Sequence, residues 1–502
     1  MSEANNENIT QKSTKADEES SPLNHPIDRS EKKLEDSLSD IDEMLSNPDK
    51  LKDGFKILSN YETQTNFYLN FLKISFDPNL NKNKQRMKLS GCCFICFLKK
   101  NYEIEGLITD DEKLKIVSFL LDKISTNDYY LKNFIAKVLG FIGAMEFPNC
   151  YESFIKILID KLNNLISNPD ENQIDTILRI FLSVLKYCDD RCAIITYEVL
   201  PVIINIFKAS KNNQKNREKC LIIISLLLNK LSYADGNDMD LLSKSLDTNA
   251  LMENSISLFT SILVSNPKLL LDIKKWTIRI LDILVRDMPI YSSKFFNLLI
   301  EPTWRLIVLE LNLYCNSIVF NKEIEYTEEE EITMEEENHI YDHGYESDDD
   351  EETNGMEGLI MELIDFTVDL LKRNSVIEAL RPALFTFLLC IKGYLLLPHN
   401  SIVLWKDNAN LYISEEYDEE NINSVRSKTL GLIREISKEI EDDALMNFIT
   451  LLINELMKGI NLDSYKEVIK LDDYNLVTPY LEKLNNDKVY VKMRQESNLL
   501  IL

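Results

Sequence analysis

Glycine is scarce in this chain, 12 of 502 residues, and proline is little commoner at 13, against average usage of roughly 7% and 5%. Sandwiches, barrels and doubly wound nucleotide-binding folds depend on glycine-bearing turns, so the shortage disfavours them. The four histidines, His25, His339, His343 and His399, lie far from any cysteine cluster. No glycine-rich phosphate loop, paired-histidine metal motif or nucleophile elbow is present, so the sequence predicts neither an enzyme nor a cofactor. Positive charge is also in deficit: 56 Lys and Arg against 83 Asp and Glu give a net charge of −27. Such a chain repels polyanions, which argues against direct nucleic-acid binding and for basic protein partners.

Long apolar runs are missing too. Cys220 to Leu228 is short, and Pro382 to Leu396 is interrupted by Lys392, whereas a membrane helix needs roughly 20 apolar residues. The N-terminus carries no apolar signal core. These features predict a soluble intracellular protein with no membrane insertion. Nine cysteines form no regular framework: Cys92, Cys93 and Cys96 share one apolar stretch, and Cys188 and Cys192 bracket Asp189, Asp190 and Arg191. Without further ligands at tetrahedral spacing, they read as buried reduced thiols in a reducing compartment, not as metal ligands.

What the chain does have is helical periodicity. Residues 1–33, polar and nearly devoid of large apolar side chains, predict a disordered tail. Beyond them apolar residues recur at three and four: Leu131, Phe134, Ile135, Val138, Leu139, Ile142 and Met145 form one stripe, and Ile174, Ile177, Leu178, Phe181, Leu182, Leu185 and Cys188 another. Similar segments are expected near 85–100, 113–124, 151–166, 196–208, 218–232, 251–264, 269–286, 292–318, 357–372, 380–396, 422–439 and 444–458. Punctuation recurs as well, in Ser46-Asn47-Pro48-Asp49, Ser167-Asn168-Pro169-Asp170 and Ser265-Asn266-Pro267-Lys268. Asn suits the N-cap and Pro the first helical position. The spacing of the first two turns fits three units of about 40 residues, the period of two-helix HEAT units. The expected fold class is all-α, an α-solenoid superhelix of HEAT-like two-helix repeats, with a globular bundle as the alternative.

One segment breaks the pattern. Between Glu323 and Glu352 there are 16 acidic residues and no Lys or Arg, and without them the net charge would fall from −27 to −11. Like charges in a block repel, so 323–354 is expected to be a disordered acidic loop inserted between helices. Its candidate partner-binding residues are Glu328, Glu329, Glu330, Glu331, Glu335, Glu336, Glu337, Asp348, Asp349, Asp350, Glu351 and Glu352. Tyr326, Tyr341 and Tyr345 could pack on a partner, and Ser347 before three aspartates has the form of an acidophilic kinase site. A shorter acidic run, Glu415 to Glu420, follows Trp405.

Particular residues carry a family resemblance. Asp111-Glu112-Lys113 with Ile116, Leu120 and Leu121, then Leu131 to Met145, Phe147-Pro148 and the segment from Tyr151, resemble the N-terminal region of the importin-β superfamily of nuclear transport receptors, the karyopherins. Leu98-Lys99-Lys100-Asn101-Tyr102 is similar to the end of a preceding family helix. Trp304 and Tyr314, Ser347-Asp348-Asp349, Gly355 to Ile360, and above all Leu404-Trp405, Asn408, Tyr412-Ile413 and Ser424-Val425-Arg426 resemble the importin nine branch. Arg494-Gln495-Glu496-Ser497 resembles the start of a further repeat. Receptors of this kind are about twice as long, so the resemblance implies a fragment or a C-terminally truncated chain.

The resemblance implies HEAT repeats over 34–168 that bind the GTP form of the small GTPase Ran, central repeats over 169–322, the acidic loop 323–354, and further repeats over 355–502. It implies nuclear import of basic cargo such as histones and ribosomal proteins, contacts with nucleoporin phenylalanine-glycine repeats, and residence in cytoplasm, nucleus and nuclear pore. No motif marks the Ran-facing residues; Lys99, Lys100 and Asn101 stand in for them. Trp304 and Trp405 are read as inter-helix packing. A HEAT scaffold or an acidic histone chaperone without transport activity is the alternative function.

Overall fold

The computed structural model describes residues 67–76, 84–102, 104, 107–146, 154–187, 193–210, 213–232, 248–263, 271–321, 355–416, 424–440 and 443–458. Among them there are helices and turns but no strands. The expected N-terminal tail, the acidic loop with Ser347, and the C-terminal segment from 459 lie outside the described residues. The chain divides into two compact units, Met1–Leu121 and Asp122–Leu502.

In the first unit, α1 (Phe67–Ser75), α2 (Lys84–Asn101) and α3 (Asp110–Leu121) close over aromatic rings. Tyr68 meets Phe94 edge-on at 6.0 Å, and Phe67 meets Phe97 in the same way at 6.0 Å. Asn101 Nδ2 donates to the Tyr68 hydroxyl at 2.9 Å, which satisfies a polar end inside this apolar cluster.

The second unit is a two-row stack. Its helix pairs are α5 (Lys156–Ser167) with α6 (Glu171–Tyr187), α7 (Ala193–Ala209) with α8 (Gln214–Ser232), α9 (Thr248–Leu263) with α10 (Leu271–Arg286), and α11 (Phe296–Tyr314) with α12 (Gly355–Leu371), preceded by α4 (Tyr129–Met145). Then come α13 (Asn374–Leu380), α14 (Leu384–Ile391), α15 (His399–Asp407), α16 (Ala409–Glu416), α17 (Val425–Glu439) and α18 (Asp443–Lys458). The second helices pack in series, α4 on α6, α6 on α8, α8 on α10, α10 on α12 and α12 on α17. The first helices form a parallel row in which α5 meets α7, α9 meets α11, α11 meets α14 and α14 meets α18. Helices α4, α6 and α8 begin at residues 129, 171 and 214, close to the expected forty-residue period. This is the α-solenoid that the periodicity predicts.

Local sequence explains where helices start. Asp128 Oδ1 accepts from the amides of Tyr130 and Leu131 at 2.9 and 3.1 Å, and Ser424 forms a reciprocal capping box with Ser427. At Ser167-Asn168-Pro169-Asp170 the expected cap is displaced. Asn168 is the residue after α5, and Asp170 caps α6 by accepting from Asn172 N and Gln173 N at 3.0 and 3.2 Å. Aspartate both accepts these bonds and favours the positive helix end, so it takes the cap and leaves the proline outside the helix.

Packing then uses the stripes. In α6, Ile177, Leu178, Ile180 and Phe181 are almost wholly buried, each side chain contributing about 1.5–3 kcal/mol. Glycine is required where α4 meets α6, since a Cβ on Gly140 would lie 2.3 Å from Ser183 Cβ; one on Gly143 would lie 2.6 Å from the ring of Phe154, just ahead of α5. The apolar run Asn374–Leu395 is, by length and composition alone, sufficient to cross a bilayer. Here it is broken at the 3-10 turn Arg381–Ala383, and Lys392 is buried against Glu455 at 2.7 Å, so its apolar side chains belong to the stack.

Candidate partner-binding face

The row α4–α6–α8–α10–α12–α17 joins its members by polar side chains of opposite character at its two ends. Around Asp175 in α6 the surplus is positive. Lys132 of α4 (Nζ–Oδ2 3.1 Å), Arg179 of α6 (Nε–Oδ1 3.0 Å) and Lys219 of α8 (Nζ–Oδ1 3.2 Å) converge on this one carboxylate. Arg179 also donates to Asn133 Oδ1 at 2.7 Å and lies over the Tyr129 ring. Burial alone would raise the Asp175 carboxyl, but Lys219, Arg179 and Lys132 hold it at about 2. Beside it, Glu171 accepts from Asn213 and Asn216 of the α8 turn at 2.9 and 2.6 Å.

Between α10 and α12 the surplus is negative. Asp282 and Asp369 face each other, with Glu362 nearby on α12 and Asp287 at the end of α10. Arg286 reaches Asp282 at 2.7 Å and Asp287 at 2.9 Å, and Lys372 pairs with Asp369. Burial first, then the hydrogen bond and charge of Asp369, raise Asp282 to about 7, against the pull of Arg286. Arg373 donates to the Val285 carbonyl at 2.7 Å, and Lys428 of α17 reaches Asp365 at 2.7 Å.

Between the two rows stands a fully buried pair instead. Lys274 of α10 reaches Glu310 of α11 at 3.2 Å with both side chains 0% exposed. Burial pushes the Glu310 carboxyl up to about 7 although Lys274 opposes it. The pairs between helices were not legible from the sequence, because partners such as Lys274 and Glu310 stand 36 residues apart. The one available signal was a charged residue inside an otherwise apolar stripe.

The acidic residues Glu328 to Glu331, Glu335 to Glu337 and Asp348 to Glu352 lie outside the described residues. The described residues on either side of them are Asn321 (φ 47°) and Gly355 (φ 78°), so in sequence they fall between α11 and α12, the two helices of one pair. The end of α11 passes into a π-helical turn, Cys315–Val319, just before Asn321. Lys99 and Lys100 are exposed at the end of α2, whereas Asn101 is 0% exposed and bonded to Tyr68, so it offers nothing to a partner. A residue in the last turn of α2 points inward here because Tyr68 provides it with a buried hydroxyl.

Trp304 packs against Phe387, ring centroids 5.7 Å apart, as expected of a packing residue. Trp405 does not: it stacks on Tyr412 at 5.0 Å but is 49% exposed, and among the described residues α15 and α16 pack chiefly on each other. Cysteines 93, 220, 315 and 390 are buried free thiols, and burial first raises Cys93 to about 12. Cys92 and Cys96 correct the expectation, since they are exposed one turn apart on α2. Among the described residues no group of three His, Cys, Asp or Glu side chains is placed to hold a metal ion.

No protein-family model and no curated protein matches the sequence. Solved structures do match. The exportin Cse1 in its cargo-free, cytoplasmic state aligns with 90% of this chain and 47% of its own, at 15% identity and a TM-score of 0.57. Lph2, a bidirectional nuclear transport receptor of S. cerevisiae, aligns with 88% of this chain and 47% of its own, at 15% identity and a TM-score of 0.56. The fold is therefore that of the helical-repeat nuclear transport receptors. The chain spans about half the length of the receptors it matches.

Proposed function

We propose that this chain is a nuclear transport receptor of the importin-β superfamily that binds a basic protein cargo and does no chemistry of its own. The observation that carries the reading is the ordered succession of helix pairs, which follows an exportin and a bidirectional receptor over about nine-tenths of the chain. Charge supports it. A net charge of −27, with 16 carboxylates gathered in Glu323–Glu352, steers cationic proteins over distances that salt shortens. The insertion lies in sequence between α11 and α12, and α12 itself brings Glu362 and Asp369 to Asp282 in an acidic cluster. Cargo held there would be histone-like or ribosomal in chemistry, as in the importin nine branch that the Trp405 region resembles.

Stacked pairs flex by small steps at each interface, so two ligands bound to one stack influence each other reciprocally. In this reading Ran-GTP binds the N-terminal repeats and changes cargo affinity, nucleoporin phenylalanine-glycine repeats bind elsewhere, and the receptor moves between cytoplasm and nucleus. The test is binding of the purified chain to Ran loaded with GTP and, separately, with GDP. A preference for GTP of tenfold or more is expected. Equal binding to both forms, or none with histone binding retained, refutes Ran control and leaves an acidic histone chaperone.

A further inference from the structure

We propose that Cys92 and Cys96 form a two-sulfur site for a soft, two-coordinate metal ion, monovalent copper, on the exposed face of α2. The site rests on neither the Ran reading nor the acidic insertion. Free cysteine is among the most buried residue types. Cys93, Cys220, Cys315 and Cys390 follow that rule, whereas Cys92 and Cys96 are exposed. Both belong to α2, whose inner side buries Phe94 and Phe97 in the aromatic cluster. Residues four apart stand one above the other on a helix, with Cβ atoms about 5–6 Å apart. Cys92 and Cys96 each act electrostatically on Cys93, so the three sulfurs share one neighbourhood.

Spacing and ligand number select the occupant. A disulfide needs Cβ atoms about 3.5–4.5 Å apart, closer than a regular helix sets them at this spacing. An ion held by two sulfurs at about 2.3 Å each, the length of a zinc–thiolate bond, lets them stay as much as about 4.6 Å apart, and the helix need not deform. Zinc itself takes four ligands, and among the described residues no three His, Cys, Asp or Glu side chains are grouped to hold a metal ion. Cys93 does not make up the number: it is 3% exposed, and burial first, then Cys96 and Cys92, raises its thiol to about 12. Two thiolates without a third donor suit monovalent copper. The copper dithiolate carries one net negative charge, and Lys99, exposed in the last turn of α2 three residues beyond Cys96, lies on the side that offsets it.

The test is an anaerobic titration of the reduced full chain with Cu(I) against the chromogenic chelator bicinchoninate, in wild type, C92S, C96S and C188S/C192S. The last variant removes the other pair of cysteines four residues apart. Wild type and C188S/C192S should each withhold a single equivalent of Cu(I) at chelator concentrations that strip C92S and C96S, whose affinity should be at least a hundredfold lower. Retention of that equivalent by C92S or by C96S would overturn the proposal. Its loss in C188S/C192S would do the same, by placing the ion on the other pair. A Cys92–Cys96 disulfide recovered by peptide mass after diamide treatment would also overturn it, since the helix would then bring the sulfurs into direct contact. Both side chains are exposed, so the serine variants should melt with the wild type. Should either melt early, Cu(I) must shield Cys92 and Cys96 of the unchanged chain from iodoacetamide, and failure to do so counts against the proposal.

Discussion

Replacing Asp175 by asparagine leaves three cations where one carboxylate held them. Lys132, Arg179 and Lys219 approach Asp175 at 3.1, 3.0 and 3.2 Å, with side chains only 9–11% exposed. The substituted amide oxygen would accept one hydrogen bond but carry no charge. The depression of the Asp175 carboxyl from 3.8 to about 2 corresponds to about 2.5 kcal/mol between its charged and neutral forms. Removing one partner of a buried ionic group costs about 3–5 kcal/mol, so about 3 kcal/mol is expected, roughly a hundredfold in local opening. A stack of repeats loses stability locally. Amide exchange in α4, α6 and α8 should therefore accelerate about a hundredfold, while α12 and α17 stay as they were. A second readout fixes the sign. Because the folded carboxyl lies below its unfolded value, its contribution is present above about pH 4 and lost as the pH falls towards 2. The wild type should lose thermal stability across that window and Asp175→Asn should lose less. Unchanged exchange in α4, α6 and α8, or an equal change along the whole stack, would refute the reasoning.

The Asp282–Asp369 contact carries the opposite sign. The folded value of Asp282, about 7, lies above the ordinary carboxylate range, so its contribution is complete below about pH 4 and is lost as the pH rises from there through 7. Asp282→Asn should raise the melting temperature at pH 8, leave it nearly unchanged at pH 3, and flatten the pH dependence between them, measured by circular dichroism. At the buried Lys274–Glu310 pair, Lys274→Met or Glu310→Gln alone should cost about 3–5 kcal/mol, whereas K274M/E310L together should be near neutral. A double variant that unfolds as readily as the singles would mean that the ions fix the α10–α11 geometry.

The stripes made the helices legible because burial on one side of a helix repeats at the helical period whatever the partner. The segments expected at 269–286 and 444–458 are α10 (Leu271–Arg286) and α18 (Asp443–Lys458). Long-range chemistry was not legible. The expected 380–396 helix is interrupted: Pro382 sits in a 3-10 turn, and a second such turn, Lys392–Leu395, follows α14 and sets Gly393 against Leu311. Helices α1, α15 and α16 escaped notice because their apolar residues form no sustained stripe. The exposure of Trp405 likewise follows from how α15 and α16 pack chiefly on each other, which no local pattern encodes. Asn101 shows the reverse: a polar residue at a helix end reads as solvated until a hydroxyl from 33 residues upstream meets it.

The entry and exit of the acidic segment, at Asn321 and Gly355, have a consequence for variation. The segment links two helices already held together by their own packing, α11 on α12, so its length is not what aligns the pair. Closing a loop grows costlier only logarithmically, about 0.6 kcal/mol for each doubling. Insertions, deletions and charge changes between these two residues therefore leave the register of the neighbouring repeats untouched. Selection can tune the length and charge of this segment as a separate variable, on a frame whose geometry is set elsewhere.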